Sequence, residues 1–282
     1  MTTPQQPVPA PPAPEHLSGA RRYRDALVAR PLGYRPLSLD LVVPEGPAAP
    51  LVIAVYGGAF ATGSRRHSEA GQHLVDTLVP QGFAVARVEH RHSREAPFPA
   101  QLHDVKAAVR WLRVHAATLG VDPARFAAWG TSSGGHLATM LAVTPGRHEG
   151  DLGVTGVSGA VRAAVAWNAP VDLGHLPPPP PESAFHATGN DPHDWLAPTP
   201  EAKAAASTHT HVRSDAAPLF LAHGERDFAI PVEQAELLAA AYRRAGAHVE
   251  LVRVPGADHF FTDAVRDDLT GRATRFLRAH LA

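Results

Sequence analysis

The pattern of apolar and polar positions settles into a regular rhythm from about residue 37. Leu37-Ser-Leu-Asp-Leu-Val-Val43 alternates at period two before Pro44 and Gly46, which predicts a half-buried strand, expected at a sheet edge. Leu51-Val-Ile-Ala-Val-Tyr56 is short and apolar throughout, as in a strand covered on both faces, and it stops at Gly57-Gly58-Ala59-Phe60. A helix is predicted around residues 68–78 and a strand over Phe83–Val88. Leu102, Val105, Val109, Leu112, Ala116 and Leu119 then step by three and four, predicting one helix from Ala100 to Leu119 that ends at Gly120.

Phe126–Trp129 is strand-like and turns at once into the helical spacing of Leu137, Met140 and Leu141. Ala163–Asn168 and Pro218–Gly224 read as further strands. A helix over about 232–245, a strand over Val249–Val254 and a final helix complete the series. Strands alternating with helices from residue 51 onward imply an α/β fold, a mostly parallel central sheet with helices on both faces. Residues 21–282 are expected to form a single domain. The rhythm breaks at about 172–217, read as a loop-rich, cap-like insertion over the functional site, with the prolines Pro177–Pro181 as a semi-rigid strut in preference to an exposed ligand for a partner. Residues 1–20 begin with a Pro- and Gln-rich run and are expected to be a disordered tail.

Composition narrows the function. The chain has 282 residues, no cysteine and a net charge of -1. Disulfides, thiol catalysis and Cys-ligated zinc are excluded, and there is no basic footprint for nucleic acid or an anionic membrane. No apolar run approaches the ~20 residues of a membrane span, and the N-terminal residues lack the apolar segment of a secretory signal. A cytoplasmic location and a monomer or homodimer are expected.

The candidate chemistry sits at the strand-to-helix corner. Gly130-Thr131-Ser132-Ser133-Gly134 fits G-x-S-x-G, in which glycines let strand and helix approach closely while the serine takes a strained turn and presents its hydroxyl. The amide of Ser133 then lies at a helix N-terminus, suited to a developing oxyanion. A serine hydroxyl needs a base, and the base an orienting acid. His259, in the loop after the last strand, is the expected base. Asp227, just past the strand ending at Gly224, is the expected acid, with Glu225 and Asp258 as competitors. His90/His92 and His209/His211 have a spacing that can ligate a metal but no carboxylate set beside them. Neither metal nor cofactor is expected. Trp167, Phe185, Trp195 and Phe228 are candidates for pocket walls or for packing beneath the insertion.

Over about residues 35–280 the chain resembles the α/β-hydrolase superfamily, and within it the hormone-sensitive-lipase-like and kynurenine-formamidase-like carboxylesterases. The resemblance rests on Tyr56-Gly57-Gly58-Ala59-Phe60, Glu95–Asp104, Trp129–His136, His223-Gly224-Glu225-Arg226-Asp227 and Gly256-Ala257-Asp258-His259-Phe260. It implies Ser132, Asp227 and His259 as the triad, in the order usual for that superfamily. It also implies Gly58, Ala59 and Ser133 as oxyanion donors, with Gly57 an alternative to Ala59. The family's loop is generally His-Gly-Gly-Gly, so Tyr56 and Ala59 are departures.

The expected function is a serine hydrolase that cleaves carboxylic esters of small or moderate size through an acyl-enzyme. The alternatives are an arylformamide or other amide hydrolase, a natural-product acyl-tailoring enzyme, and a non-catalytic binding protein of the same fold.

Overall fold

A computed structural model of the chain describes residues 8–178 and 192–282. Nine strands form one sheet: β1 (Glu15–Leu17), β2 (Ala20–Ala29), β3 (Leu37–Pro44), β4 (Ala49–Val55), β5 (Ala84–Val88), β6 (Val121–Thr131), β7 (Ala163–Trp167), β8 (Leu219–Gly224) and β9 (Val249–Val254). Their spatial order is β1-β2-β3-β5-β4-β6-β7-β8-β9. The contacts β1/β2, β2/β3 and β3/β5 are antiparallel, and every pair from β5/β4 to β8/β9 is parallel.

The helices among the described residues are α1 (Glu69–Leu78), α2 (Ala100–Val114), α3 (Ala116–Leu119), α4 (Ser133–Val143), α5 (Pro192–Leu196), α6 (Pro200–Ala206), α7 (Glu233–Ala245) and α8 (Asp263–His280). They cover both faces of the sheet. Because successive side chains of a strand point to opposite faces, Leu51, Ile53 and Val55 of β4 join a core with α2, α4 and α7, while Val52 and Ala54 join a second core with α1 and α8. This is why β4 is apolar without interruption. Burying a Leu, Ile or Val on either face contributes roughly 1.5–3 kcal/mol.

Several expectations are corrected. The strand Leu37–Pro44 is not at an edge: the β1–β2 hairpin extends the sheet beyond it. β2 escapes a period-two reading because it is arginine-rich and its register shifts between Tyr23 and Ala26 and again between Leu27 and Ala29. Residues 8–20, expected to belong to a disordered tail, are instead part of the fold. Besides the β1 pairing, the Pro9 carbonyl accepts hydrogen bonds from Trp111 Nε1 at 2.8 Å and from His115 Nε2 at 3.0 Å. Tail composition carries no trace of donors that lie a hundred residues away. The helix expected over 100–119 is broken at His115, where φ is -93° and ψ 8°, into α2 and α3.

The described part of the 172–217 insertion is more helical than its composition suggests. It holds α5, α6 and a 3-10 turn at Thr208–His211, and buries Leu196, Ala197 and Ala206 in the larger core. Pro179–Pro181 of the proline run lie outside the described residues. Among those described, no helix is long and apolar enough to cross a membrane.

His90 and His136 are fully buried, and burial pushes each imidazole down from 6.5 to about 4. In the unfolded chain they take up a proton near pH 6.5, so protons favour unfolding across the window between the two values. Stability therefore falls as pH drops from 6.5 to about 4, by up to about 3 kcal/mol per imidazole. Urea midpoints are expected to be lower at pH 4.5 than at pH 7, with a smaller gap in His136→Gln. An unchanged gap in that variant would contradict the assignment.

Candidate active site

The site is built at the C-terminal end of the central parallel strand β6. Ser132 takes the corner between β6 and α4 with φ 53° and ψ -127°, a conformation that side chains rarely adopt. Two glycines make the corner possible. A Cβ on Gly130 would overlap the Gly134 carbonyl, and a Cβ on Gly134 would overlap the carbonyls of Val55 and Tyr56 at the end of β4. The Ser132 amide donates to the Trp167 carbonyl at 2.8 Å, tying the corner to β7.

His259 and Asp227 reach this serine from the β8–β9 side of the sheet. His259 Nε2 lies 3.2 Å from Ser132 Oγ, and His259 Nδ1 lies 2.8 Å from Asp227 Oδ2. With its Nδ1–H donating to the carboxylate, the ring leaves Nε2 to accept from the hydroxyl. The Asp227 side chain is fully buried. Its Oδ1 accepts from the amides of Ala229 at 2.9 Å and Ile230 at 2.8 Å, and its Oδ2 lies 3.3 Å from His223 Nε2. Burial alone would push this carboxyl up. The hydrogen bonds from His223 and His259, the His259 charge and the Ile230 amide outweigh it and hold the group well below the usual carboxylate range.

The competing acids are occupied elsewhere. Glu225 pairs with Arg253 at 2.9 Å, while Asp258 accepts the amides of His259 at 2.6 Å and Phe228 at 3.3 Å, shaping its own loop.

Gly58, Ala59 and Ser133 line the same cavity as Ser132, as does Gly57; its volume is about 460 Å3. The loop after β4 is folded tightly: the amides of Ala61 and Thr62 both donate to the Gly58 carbonyl at 3.0 Å, and Gly58, Ala59 and Phe60 all have positive φ. Tyr56 turns away. Its hydroxyl donates to Glu89 Oε1 at 2.9 Å, and its ring stacks on His90 at 4.3 Å. Burial and the neighbouring Glu89 push the phenol up, so it stays protonated and anchors the loop. A second cleft of about 570 Å3 opens on Ser132 and His259 too, with His67, Glu69, Trp167 and Arg266 in its wall.

The remaining candidates divide. Phe228 lines the first cavity together with Pro177 and His193 of the insertion. Trp195 lies against the Arg94 guanidinium, 3.8 Å from its ring centre, and Phe185 falls outside the described residues. His211 Nε2 is 2.7 Å from the Ala205 carbonyl, and Asp104 is a buried acceptor for Arg91.

Residues 39–242 match the family model described as BD-FAE, well over half of the chain. The chain belongs to the BD-FAE family. It is 29% identical over 239 residues to the probable carboxylic ester hydrolase LipM of Mycobacterium tuberculosis, a match covering 80% of this chain and 51% of LipM, so the chain spans about half the length of that relative. Among solved structures, a truncated carbohydrate esterase from gut microbiota is 29% identical with a TM-score of 0.76, covering 92% of this chain and 96% of its own. Thermogutta terrifontis esterase 2 phosphonylated by cyclosarin is 25% identical with a TM-score of 0.72, covering 91% and 93%. The sheet and its helices are those of the α/β-hydrolase fold.

The supporting roles of two residues of this BD-FAE protein, Asn168 and His223, are not evident from its motifs. Asn168, at the end of β7 with φ 47°, donates through Nδ2 to the His259 carbonyl at 2.7 Å and accepts the Gly224 amide on Oδ1 at 3.0 Å. It thus pins the His259 loop to β7 and β8. The available signal was an asparagine closing a strand, a residue that tolerates positive φ. His223 is nearly fully buried, and its Nε2 lies 2.8 Å from the Ile230 carbonyl as well as facing Asp227. Two oxygens on one nitrogen require that nitrogen to carry the proton. Asn168→Ala is expected to lower kcat/KM by about 10–100-fold through misplacement of His259, with the fold retained by circular dichroism. Parent activity in the folded variant would remove this role.

Proposed function

We propose that the chain is a serine esterase acting on carboxylic esters of small or moderate size, with no cofactor. The observation that carries this reading is the hydrogen-bonded series Ser132 Oγ, His259 Nε2, His259 Nδ1, Asp227 Oδ2, with both gaps at 3.2 Å or less. Ser132 Oγ attacks the ester carbonyl while His259 takes its proton. Asp227 fixes the imidazole tautomer and stabilises the imidazolium that forms.

The carbonyl oxygen becomes an oxyanion at the amides of Gly58, Ala59 and Ser133. Such donors act strongly because they are already in place when charge develops, and loss of one costs about 3 kcal/mol of transition-state stabilisation. His259 then protonates the leaving alcohol, and a water activated by the same imidazole releases the acyl group. The cavity of about 460 Å3 suits a small molecule. The ester hydrolases and carbohydrate esterase similar to this chain support ester over amide cleavage. The insertion, which brings Pro177 and His193 to the cavity wall, acts as the cap.

Ser132→Ala is expected to reduce p-nitrophenyl acetate hydrolysis by about 10^4-fold or more while leaving the fold intact. Retention of parent activity would refute the assignment. An arylformamide assayed in parallel is expected to turn over more slowly than a short acyl ester, and the reverse order would favour the amide-hydrolase reading. A fluorophosphonate probe is expected to label the parent and not Ser132→Ala; an unlabelled parent would indicate a non-catalytic binding protein.

Gly130→Ala tests the elbow itself. The new methyl cannot coexist with the Gly134 carbonyl, so activity and probe labelling are expected to fall together, with a stability loss of about 1–3 kcal/mol. Unaltered labelling would show that the corner is not under the steric limit described.

A further inference from the structure

Away from the serine, a cavity of about 410 Å3 opens where β2, β3 and β5 meet α1. Its walls include Arg22, Arg24, Arg66 and Arg87, with Asp25 and Asp40 the carboxylates among them. None of its lining residues lines either cleft at Ser132. Four guanidiniums, charged at any accessible pH, face two carboxylates in one concavity.

A self-contained salt-bridge network would close these charges on one another, and it does so only in part. Asp25 Oδ1 already accepts from both Arg65 and Arg66, and Asp40 Oδ1 accepts the Asp25 amide at 2.9 Å. Arg24 Nε donates to Glu15 at 3.2 Å. Arg87 donates through Nη1 to the Gln72 amide oxygen at 3.0 Å, but its Nη2 stands 3.7 Å from Asp40. Arg22 comes no nearer to Glu15 than 3.8 Å. Both separations exceed a hydrogen bond. Arg22 and Arg87 thus bring charge and spare N–H donors to the cavity. Burial first, and then the crowding of Arg22, Arg65 and Arg24, opposed by Asp40, lowers the basicity of Arg87. Like charges held this closely are relieved by an anion between them.

The guanidiniums enter from separate elements: Arg22 from β2, Arg87 from β5 and Arg66 from the segment before α1. A carboxylate offers two coplanar oxygens, enough for one or two forks. A phosphate group radiates its oxygens from one centre and serves donors arriving from several directions. We propose that this cavity is a binding site for a small phosphorylated molecule, gripped by Arg22, Arg66 and Arg87 and separate from the esterase site. The site stands independently of the role of Ser132.

The test is isothermal titration calorimetry of the full chain with sodium pyrophosphate at ionic strength fixed with sodium chloride. One saturable site is expected, unchanged in Ser132→Ala and weakened about tenfold or more in Arg22→Gln, which loses a charge-assisted contact. Arg87→Gln is expected to weaken binding at least as much; because Arg87 is largely buried, Arg22→Gln, at a partly exposed position, decides the matter if the former fails to fold. Absence of saturable binding would overturn the proposal, as would equal affinity in a folded Arg22→Gln. Retention on phosphatidic acid vesicles without affinity for soluble pyrophosphate would overturn it in favour of a lipid surface.

Discussion

The structure depends on how closely one strand and one helix can approach. At the β6–α4 corner there is no room for a single methyl group at Gly130 or at Gly134, and the backbone of Ser132 is held at positive φ as a result. The energy of that conformation, of order 1–3 kcal/mol, is offset by the core packed around it, where Leu137, Met140 and Leu141 of α4 are fully buried. The reward is positional: the hydroxyl stands clear of the sheet, and the first amide of α4 stands beside it. The loop after β4 depends on the same approach, because the carbonyls that exclude a side chain at Gly134 belong to Val55 and Tyr56, where that loop begins.

A second tier of polar contacts fixes the partners of the serine. Asp227 is surrounded by two backbone amides and two imidazoles, a set that satisfies a buried carboxylate only while it is ionised. Asn168 ties the His259 loop to the neighbouring strand ends, and the Tyr56 hydroxyl, bound to Glu89, ties down the start of the loop after β4. The polar end of Tyr56 is spent on structure. What the loop presents to the cavity is Gly57, Gly58, Ala59 and Phe60.

How much was legible beforehand follows from the range of each interaction. The parallel strands announced themselves because burial on both faces forces an uninterrupted apolar run, as in Leu51–Val55. The elbow announced itself because only glycine fits at two of its positions. By contrast, β2 was hidden by arginines that lie along the sheet and by two register shifts, so its alternation never persists. The order of residues 8–17 was hidden because Trp111 and His115, which hold Pro9, are remote in sequence. Asp227 is preferred over Glu225 and Asp258 from its place after β8, but the four donors around it, and the contacts of Asn168, come together only in the folded chain. The described helices of the 172–217 segment were masked by proline and alanine, whose spacing shows no stripe.

The 127 residues that separate Ser132 from His259 carry a further meaning. During synthesis Ser132 emerges first, followed by the strands that widen the sheet, and the loop beyond β9 that brings His259 within 3.2 Å of it follows later. A chain that still lacks β9 and the loop beyond it holds Ser132 without His259 beside it. On the proposed mechanism the hydroxyl gains its base only when β7, β8 and β9 have docked beside β6.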